Sequence, residues 1–130
     1  MGNQRSTREI GKEKEDLAIS FLLNNQCRII ERNFYMRGGE IDIVAKENHS
    51  ILFIEVKYRS SNKCGGAYYS VSQKKQIRIA KTALYYMKKR NIPLECSIRF
   101  DVILIHDCSN NEQEITWIKN AFEFPATLGF

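Results

Sequence analysis

Apolar positions along the chain fall into short, separated groups, and their spacing predicts the elements. Between about Arg8 and Asn24, the apolar residues Ile10, Leu17, Ala18, Phe21 and Leu22 recur on one helical face. Glu15 lies on the border of that stripe and Asp16 points to solvent. Cys27 to Tyr35 predicts a first strand, broken at Arg37-Gly38-Gly39 by a turn or bulge. Glu40 to Ala45 alternates, with Glu40, Asp42 and Val44 on one face and Ile41, Ile43 and Ala45 on the other. After the polar turn Lys46 to Ser50, the third strand runs from Ile51 to Arg59. Leu52, Ile54, Val56 and Tyr58 share one of its faces; Phe53, Glu55, Lys57 and Arg59 share the opposite one. Short turns between these strands predict an antiparallel meander.

Ser60 to Tyr69 carries Gly65-Gly66 and reads as a loop, with Tyr68 and Tyr69 near its end. Ser72 is the expected N-cap of a second helix running to about Arg90, with an apolar stripe of Ile77, Ala80, Leu84 and Met87. One of Tyr85 and Tyr86 is expected to pack. Ile98 to His106 contains the run Val102 to Ile105, the mark of a strand buried on both faces. The helical crossover before it predicts a parallel neighbour. Glu114 to Lys119 is a last strand, with Ile115, Trp117 and Lys119 on one face. The order α-β-β-β-α-β-β defines an α/β protein with a mixed central sheet flanked by helices.

Length changes little: 130 residues make one domain. Its expected bounds are 11–123, with a flexible polar leader at 1–10 and a tail at 124–130. A composition of 43% hydrophobic and 27% charged residues excludes a disordered chain. No apolar run approaches the length of a spanning helix, and the polar N-terminus lacks a signal-peptide core, so no membrane contact and a cytoplasmic location are expected. Met1 to Ser6 also fits a myristoylation pattern, a short motif that a polar leader matches by chance. Cys27, Cys64, Cys96 and Cys108 form no C-x-x-C pair and are expected to be reduced thiols; His106 and Cys108 alone are too few for a metal site.

Charge adds more. Twenty Lys and Arg against 15 Asp and Glu leave a net +5. Many of the cations sit on the second helix: Lys74, Lys75, Arg78, Lys81, Lys88, Lys89 and Arg90. Such a face is either solvated or a contact for a phosphate backbone.

The informative chemistry is acid inside strands, where Asp and Glu are depleted. Asp42 stands between Ile41 and Ile43, and Glu55 between Ile54 and Val56, with Lys57 on the same face two residues on. If the two strands pair, the carboxylates converge into an oxygen site for Mg²⁺ or Mn²⁺ beside an ammonium, the parts of a hydrolytic phosphodiesterase. The same residues would equally serve as cross-strand ion pairs on an exposed sheet face. Asp101 reads as a structural partner of Arg99 or of a neighbouring backbone.

Gly39-Glu40-Ile41-Asp42-Ile43-Val44 followed by Phe53-Ile54-Glu55-Val56-Lys57-Tyr58-Arg59 resembles the PD-(D/E)XK nuclease superfamily. More closely the chain resembles the YraN family, endonuclease-like bacterial proteins related to archaeal Holliday junction resolvases. Gly11 to Ala18, Arg32-Asn33, Val71 to Lys75, Arg99 to Val102 and Asn120 to Phe122 carry the likeness across residues 11–123. The resemblance implies a restriction-endonuclease-like α-β-β-β-α-β core. It implies Asp42 and Glu55 as metal carboxylates, Lys57 as catalytic lysine, Glu15 as a further glutamate toward the metal, and the Val56 carbonyl as a ligand. Two positions depart from the pattern: Ile41 replaces the superfamily's proline, and Lys14 replaces the motif's second glycine. The expected function is a Mg²⁺- or Mn²⁺-dependent nuclease acting on branched or damaged DNA, with Lys74, Lys75, Arg78, Lys81 and Arg59 as DNA contacts. Resolvase-like relatives imply a homodimer. A non-catalytic DNA-binding module and a protein–protein adaptor are the alternatives.

Overall fold

Ser6 opens the first helix, its hydroxyl accepting the Glu9 backbone N–H at 3.2 Å. The computed structural model describes residues 6–60, 69–108 and 111–126. Helix α1 spans Thr7–Asn24, followed by β1 (Arg28–Met36), β2 (Gly39–Glu47) and β3 (Ser50–Ser60). Then come α2 (Gln73–Lys89), β4 (Ile98–Asp107) and β5 (Gln113–Phe122). This is the expected order. Among the described residues, five strands lie in sequence order in one mixed sheet. Only β3 and β4 run parallel, joined by the α2 crossover; the other pairs are antiparallel.

Helices cover both faces, so the core is split in two. Under α2, Phe34, Val44, Phe53, Phe100 and Val102 pack against Ala80, Ala83, Tyr86 and Met87. Under α1, Ile43, Ala45, Leu52, Ile54, Ile103 and Ile105 pack against Ala18 and Leu22. The interior run of β4 therefore meets apolar side chains on both sides, as its composition requires. Ser72 caps α2 as expected, accepting from Lys75 N–H at 3.3 Å. The buried stripe of α2 differs from the expected one. Ala80, Thr82, Ala83, Tyr86 and Met87 are buried, while Ile77 and Leu84 are only half-buried. The small residues let the helix lie close to the sheet, and the longer aliphatics move to its flank.

Two charged residues hold the layers together. Lys14, 6% exposed, donates to Asp107 Oδ2 at 2.9 Å and lies 4.6 Å above the Tyr58 ring. A lysine thus fills a position in the buried stripe because its partner is supplied by the far end of β4. Asp101, 2% exposed, accepts from Arg99 (2.9 and 2.8 Å), from Trp117 Nε1 (2.8 Å) and from the Asn120 backbone N–H (2.9 Å). The expected structural role of Asp101 is realised.

The alternation expected in β2 breaks at Asp42. Ile43 and Ala45 face α1, but Ile41 joins the α2 core with Phe34. The reason lies in β1. Asn33 adopts φ 53°, and the flanking register, Arg32↔Ile43 and Phe34↔Ile41, puts it opposite Asp42. A left-handed residue in mid-strand turns Arg32 toward α1 and Phe34 toward α2, and the paired strand follows.

Cys27 and Cys96 are free, as expected, but Cys108 is disulfide-bonded. This corrects the expectation of four reduced thiols; sequence spacing does not encode which chain segments the fold brings together. Among the described residues no helix is long and apolar enough to cross a membrane. Met1 to Arg5 of the N-terminal pattern, Cys64, Tyr68 and most of the expected Ser60 to Tyr69 loop lie outside the described residues, as does the end of the tail.

Candidate functional site

Strands β2 and β3 pair from Glu47↔Ser50 as far as Ile43↔Ile54. The next positions along this register are Asp42 and Glu55. Here Asp42 Oδ2, not a strand backbone, accepts the Val56 N–H at 2.9 Å. The two strands frame one wall of a cleft of about 400 Å³, with Asp42, Glu55, Glu40 and Tyr35 on one side and Lys75, Arg78 and Ile79 of α2 on the other. Gly39 also lines the cleft. A Cβ there would collide with Thr82 Oγ1 of α2, so only glycine permits this approach of strand and helix.

Asp42 is the strained charge of the site. Burial drives its pKa up to about 7, against the stabilising Val56 N–H, and the negative charges of Glu15, Glu40 and Glu55 push the same way. Glu15 is also raised, first by burial; Arg32 and the Asn33 side chain oppose this, and Glu40 and Asp16 reinforce it. Arg32 Nη2 lies 3.8 Å from Glu15 Oε1 and 2.7 Å from Asp16 Oδ1. Glu15 therefore reaches the electrostatic neighbourhood of Asp42 from the α1 side, through the Arg32-Asn33 corner, and does not line the cleft itself. Lys14, its sequence neighbour, is committed to Asp107.

Lysine placement is the main departure from the sequence expectation. Lys75, expected at a phosphate, forms an ion pair with Glu55 Oε1. Burial disfavours its ammonium, but hydrogen bonds and charge from Glu55 and Tyr69 outweigh this and hold its pKa above the ordinary value. Lys57, half-buried on β3, sits 5.5 Å from the centre of the Tyr69 ring and outside the cleft lining. Both lysines thus meet Tyr69, a residue whose place beside the site only the loop position hints at. Lys74, Arg78 and Lys81 are exposed along one side of α2, with Arg78 at the cleft. Arg59 lies four residues beyond Glu55, in register with His106, away from the cleft.

The donor set at the cleft consists of oxygens: Asp42, Glu55 and, from behind, Glu15. Glu55 Oε2 and Glu15 Oε1 are buried without a hydrogen-bond partner among the described residues. Burying such an oxygen is costly unless a cation or donor meets it. Hard oxygen donors of this kind fit Mg²⁺ or Mn²⁺. The Val56 peptide is tied to Asp42 at the same point.

Fold and site together define a mixed α/β protein with an acidic, cation-rimmed cleft where its antiparallel meander splays open. The chain belongs to the uncharacterised protein family UPF0102, whose profile matches residues 14–105. It is 43% identical over 115 residues to a UPF0102 protein of Fusobacterium nucleatum subsp. nucleatum, covering 88% of this chain and 92% of that one. A UPF0102 protein of Thermodesulfovibrio yellowstonii is 47% identical over 116 residues, covering 88% and 96%. One from Legionella pneumophila strain Corby is 41% identical over 117 residues, covering 90% and 97%.

Proposed function

We propose that this protein is a Mg²⁺- or Mn²⁺-dependent nuclease that hydrolyses phosphodiester bonds in DNA, with branched or damaged DNA as the substrate class. The observation that carries the reading is the juxtaposition of Asp42, fixed by the Val56 N–H, with Glu55 in a cleft rimmed by Lys75 and Arg78. The resemblance of the Asp42, Glu55 and Lys57 pattern to PD-(D/E)XK nucleases and the YraN family supports it. In this reading Asp42 and Glu55, with the Val56 carbonyl and Glu15 behind them, hold the cation. Once bound there, the cation would supply Lewis acidity at the phosphate and lower the pKa of a coordinated water. The Lys57 ammonium orients the attacking water, and the proton that the water loses passes to bulk solvent. Lys75 and Arg78 meet the scissile phosphate, and Lys74, Lys81 and Arg59 follow the backbone on either side.

Symmetric cutting of a branched substrate would use two copies of the chain, hence a homodimer, and cellular DNA as substrate goes with the expected cytoplasmic location. The decisive experiment incubates the protein with branched, nicked and linear DNA in Mg²⁺ and in Mn²⁺, beside Glu55→Ala. Cleavage that needs the cation and disappears in the variant supports the reading. Binding without cleavage points to a DNA-binding module, and absence of both to an adaptor.

A further inference from the structure

The far corner of the sheet carries a second cluster that the cleft does not use. His106 ends the buried run of β4 and Glu114 stands opposite it on β5. Cys108 follows two residues after His106, its backbone N–H donating to the Glu112 carbonyl at 2.9 Å across the β4–β5 connection. One ligand atom from each of His106, Cys108 and Glu114 lies within 4.8 Å of the others. His106 is only 5% exposed, and both its ring nitrogens are buried without a hydrogen-bond partner among the described residues. A neutral imidazole has one donor and one acceptor to satisfy, so this ring is built for a partner it does not find in the described protein.

We propose that His106, Cys108 and Glu114 form a zinc site that becomes available when the disulfide of Cys108 is reduced. Nitrogen and sulfur donors select Zn²⁺ over the hard cations suited to the carboxylate cleft. Zinc bonds of about 2.0–2.3 Å put tetrahedral ligands about 3.5 Å apart, so the cluster needs to contract by only about an ångström. A dithiol reductant opens the site: the sulfur–sulfur bond breaks, each sulfur gains an electron and a proton, and the dithiol closes to its own disulfide. Zinc then displaces the proton of the Cys108 thiol. His106 gives one ring nitrogen, Glu114 a carboxylate oxygen, and water completes the tetrahedron. In the oxidised chain the sulfur is committed and the imidazole stays unligated. This site stands or falls independently of any nuclease activity.

The full chain, reduced with a phosphine or left oxidised, is titrated calorimetrically with ZnCl₂, and the reduced chain is also titrated with Co²⁺ and followed by absorption. The reduced protein should bind one more zinc per chain than the oxidised protein, whose zinc uptake is limited to the carboxylate cleft. The Co²⁺ complex should show a thiolate charge-transfer band that Cys108→Ser abolishes. Glu114→Gln, a change on a half-buried strand position, should weaken zinc about 10-fold without loss of fold, and His106→Asn more. A reduced chain that takes up no zinc overturns the proposal. So does zinc binding that is equal in both redox forms, or untouched by Glu114→Gln and Cys108→Ser.

Discussion

Asp42 Oδ2 and the Val56 backbone N–H lie 2.9 Å apart, so a carboxylate from β2 takes the hydrogen bond that strand pairing would otherwise supply to β3. That single interaction locks the acid of one strand to the residue after the acid of the next. It keeps Asp42 in place at the cost of burying its charge among other carboxylates.

Stability should therefore depend on pH through Asp42. Its pKa is about 7 in the folded chain against an ordinary 3.8. Between those values the folded state holds the extra proton, so stability is full below about 4 and declines as pH rises through 7. Asp42→Asn keeps an acceptor for Val56 and removes the charge. At pH 8 it should raise stability by on the order of 2 kcal/mol, or about 6 °C in Tm, and at pH 4 by almost nothing. Thermal melts at the two pH values decide this; equal shifts would contradict it.

Lys57 and Lys75 should separate by function. Lys75→Met removes the ammonium on Glu55 and should tighten Mn²⁺ binding about 3-fold, because an ion pair on a partly exposed site contributes less than about 1 kcal/mol. Lys57→Ala should leave cation affinity unchanged and lower cleavage by about 10²-fold. Calorimetry without DNA and single-turnover cleavage give the two readings, and a reversal of these effects would exchange the two roles.

Glu15→Gln keeps the side chain's size and removes its charge. If Glu15 serves the cation, half-maximal activity should require about 10-fold more Mg²⁺ or Mn²⁺, with Tm nearly unchanged. An unaltered metal dependence would confine the site to Asp42, Glu55 and Lys57.

Gly39→Ala should destabilise the chain by about 1–3 kcal/mol, since the added methyl collides with Thr82 Oγ1 in a close-packed layer. Thr82→Ala in the same chain should restore most of that stability. Denaturant unfolding of the double-mutant cycle measures the coupling; strict additivity would mean that the strand–helix approach is not what the glycine protects.

Replacing Lys74, Arg78 and Lys81 together should flatten the dependence of log K on log salt for duplex DNA by about 2.7, which is about 0.9 for each phosphate no longer neutralised. An unchanged slope would take the α2 face out of the DNA interface.

The elements are legible in the chain because their signals are local. Ser72 caps α2, the run Val102 to Ile105 is buried on both sides, and the short turns of the meander fall where the polarity pattern breaks. Asp42 and Glu55 can be paired because the turn between their strands is short. The rest depends on partners distant in sequence. Lys14 departs from its motif, and only Asp107, at the far end of β4, explains how its charge is tolerated. Lys75 cannot be placed at Glu55 from sequence, since the crossover that brings α2 over β3 sets the distance. The reversal of faces at Asn33 has a faint signal, an asparagine inside a strand, but nothing in the residue type tells a left-handed kink from an exposed polar position.

The strands lie in the sheet in the order in which they occur in the chain. The acidic half of the cleft thus assembles from a hairpin of neighbouring segments, while the cation that neutralises Glu55 arrives only with the crossover helix. Any order of folding in which the hairpin closes first leaves its like charges without their counter-ion until α2 docks. In that order, protons or divalent ions from solution are the charges that would hold the hairpin together, a role separate from catalysis.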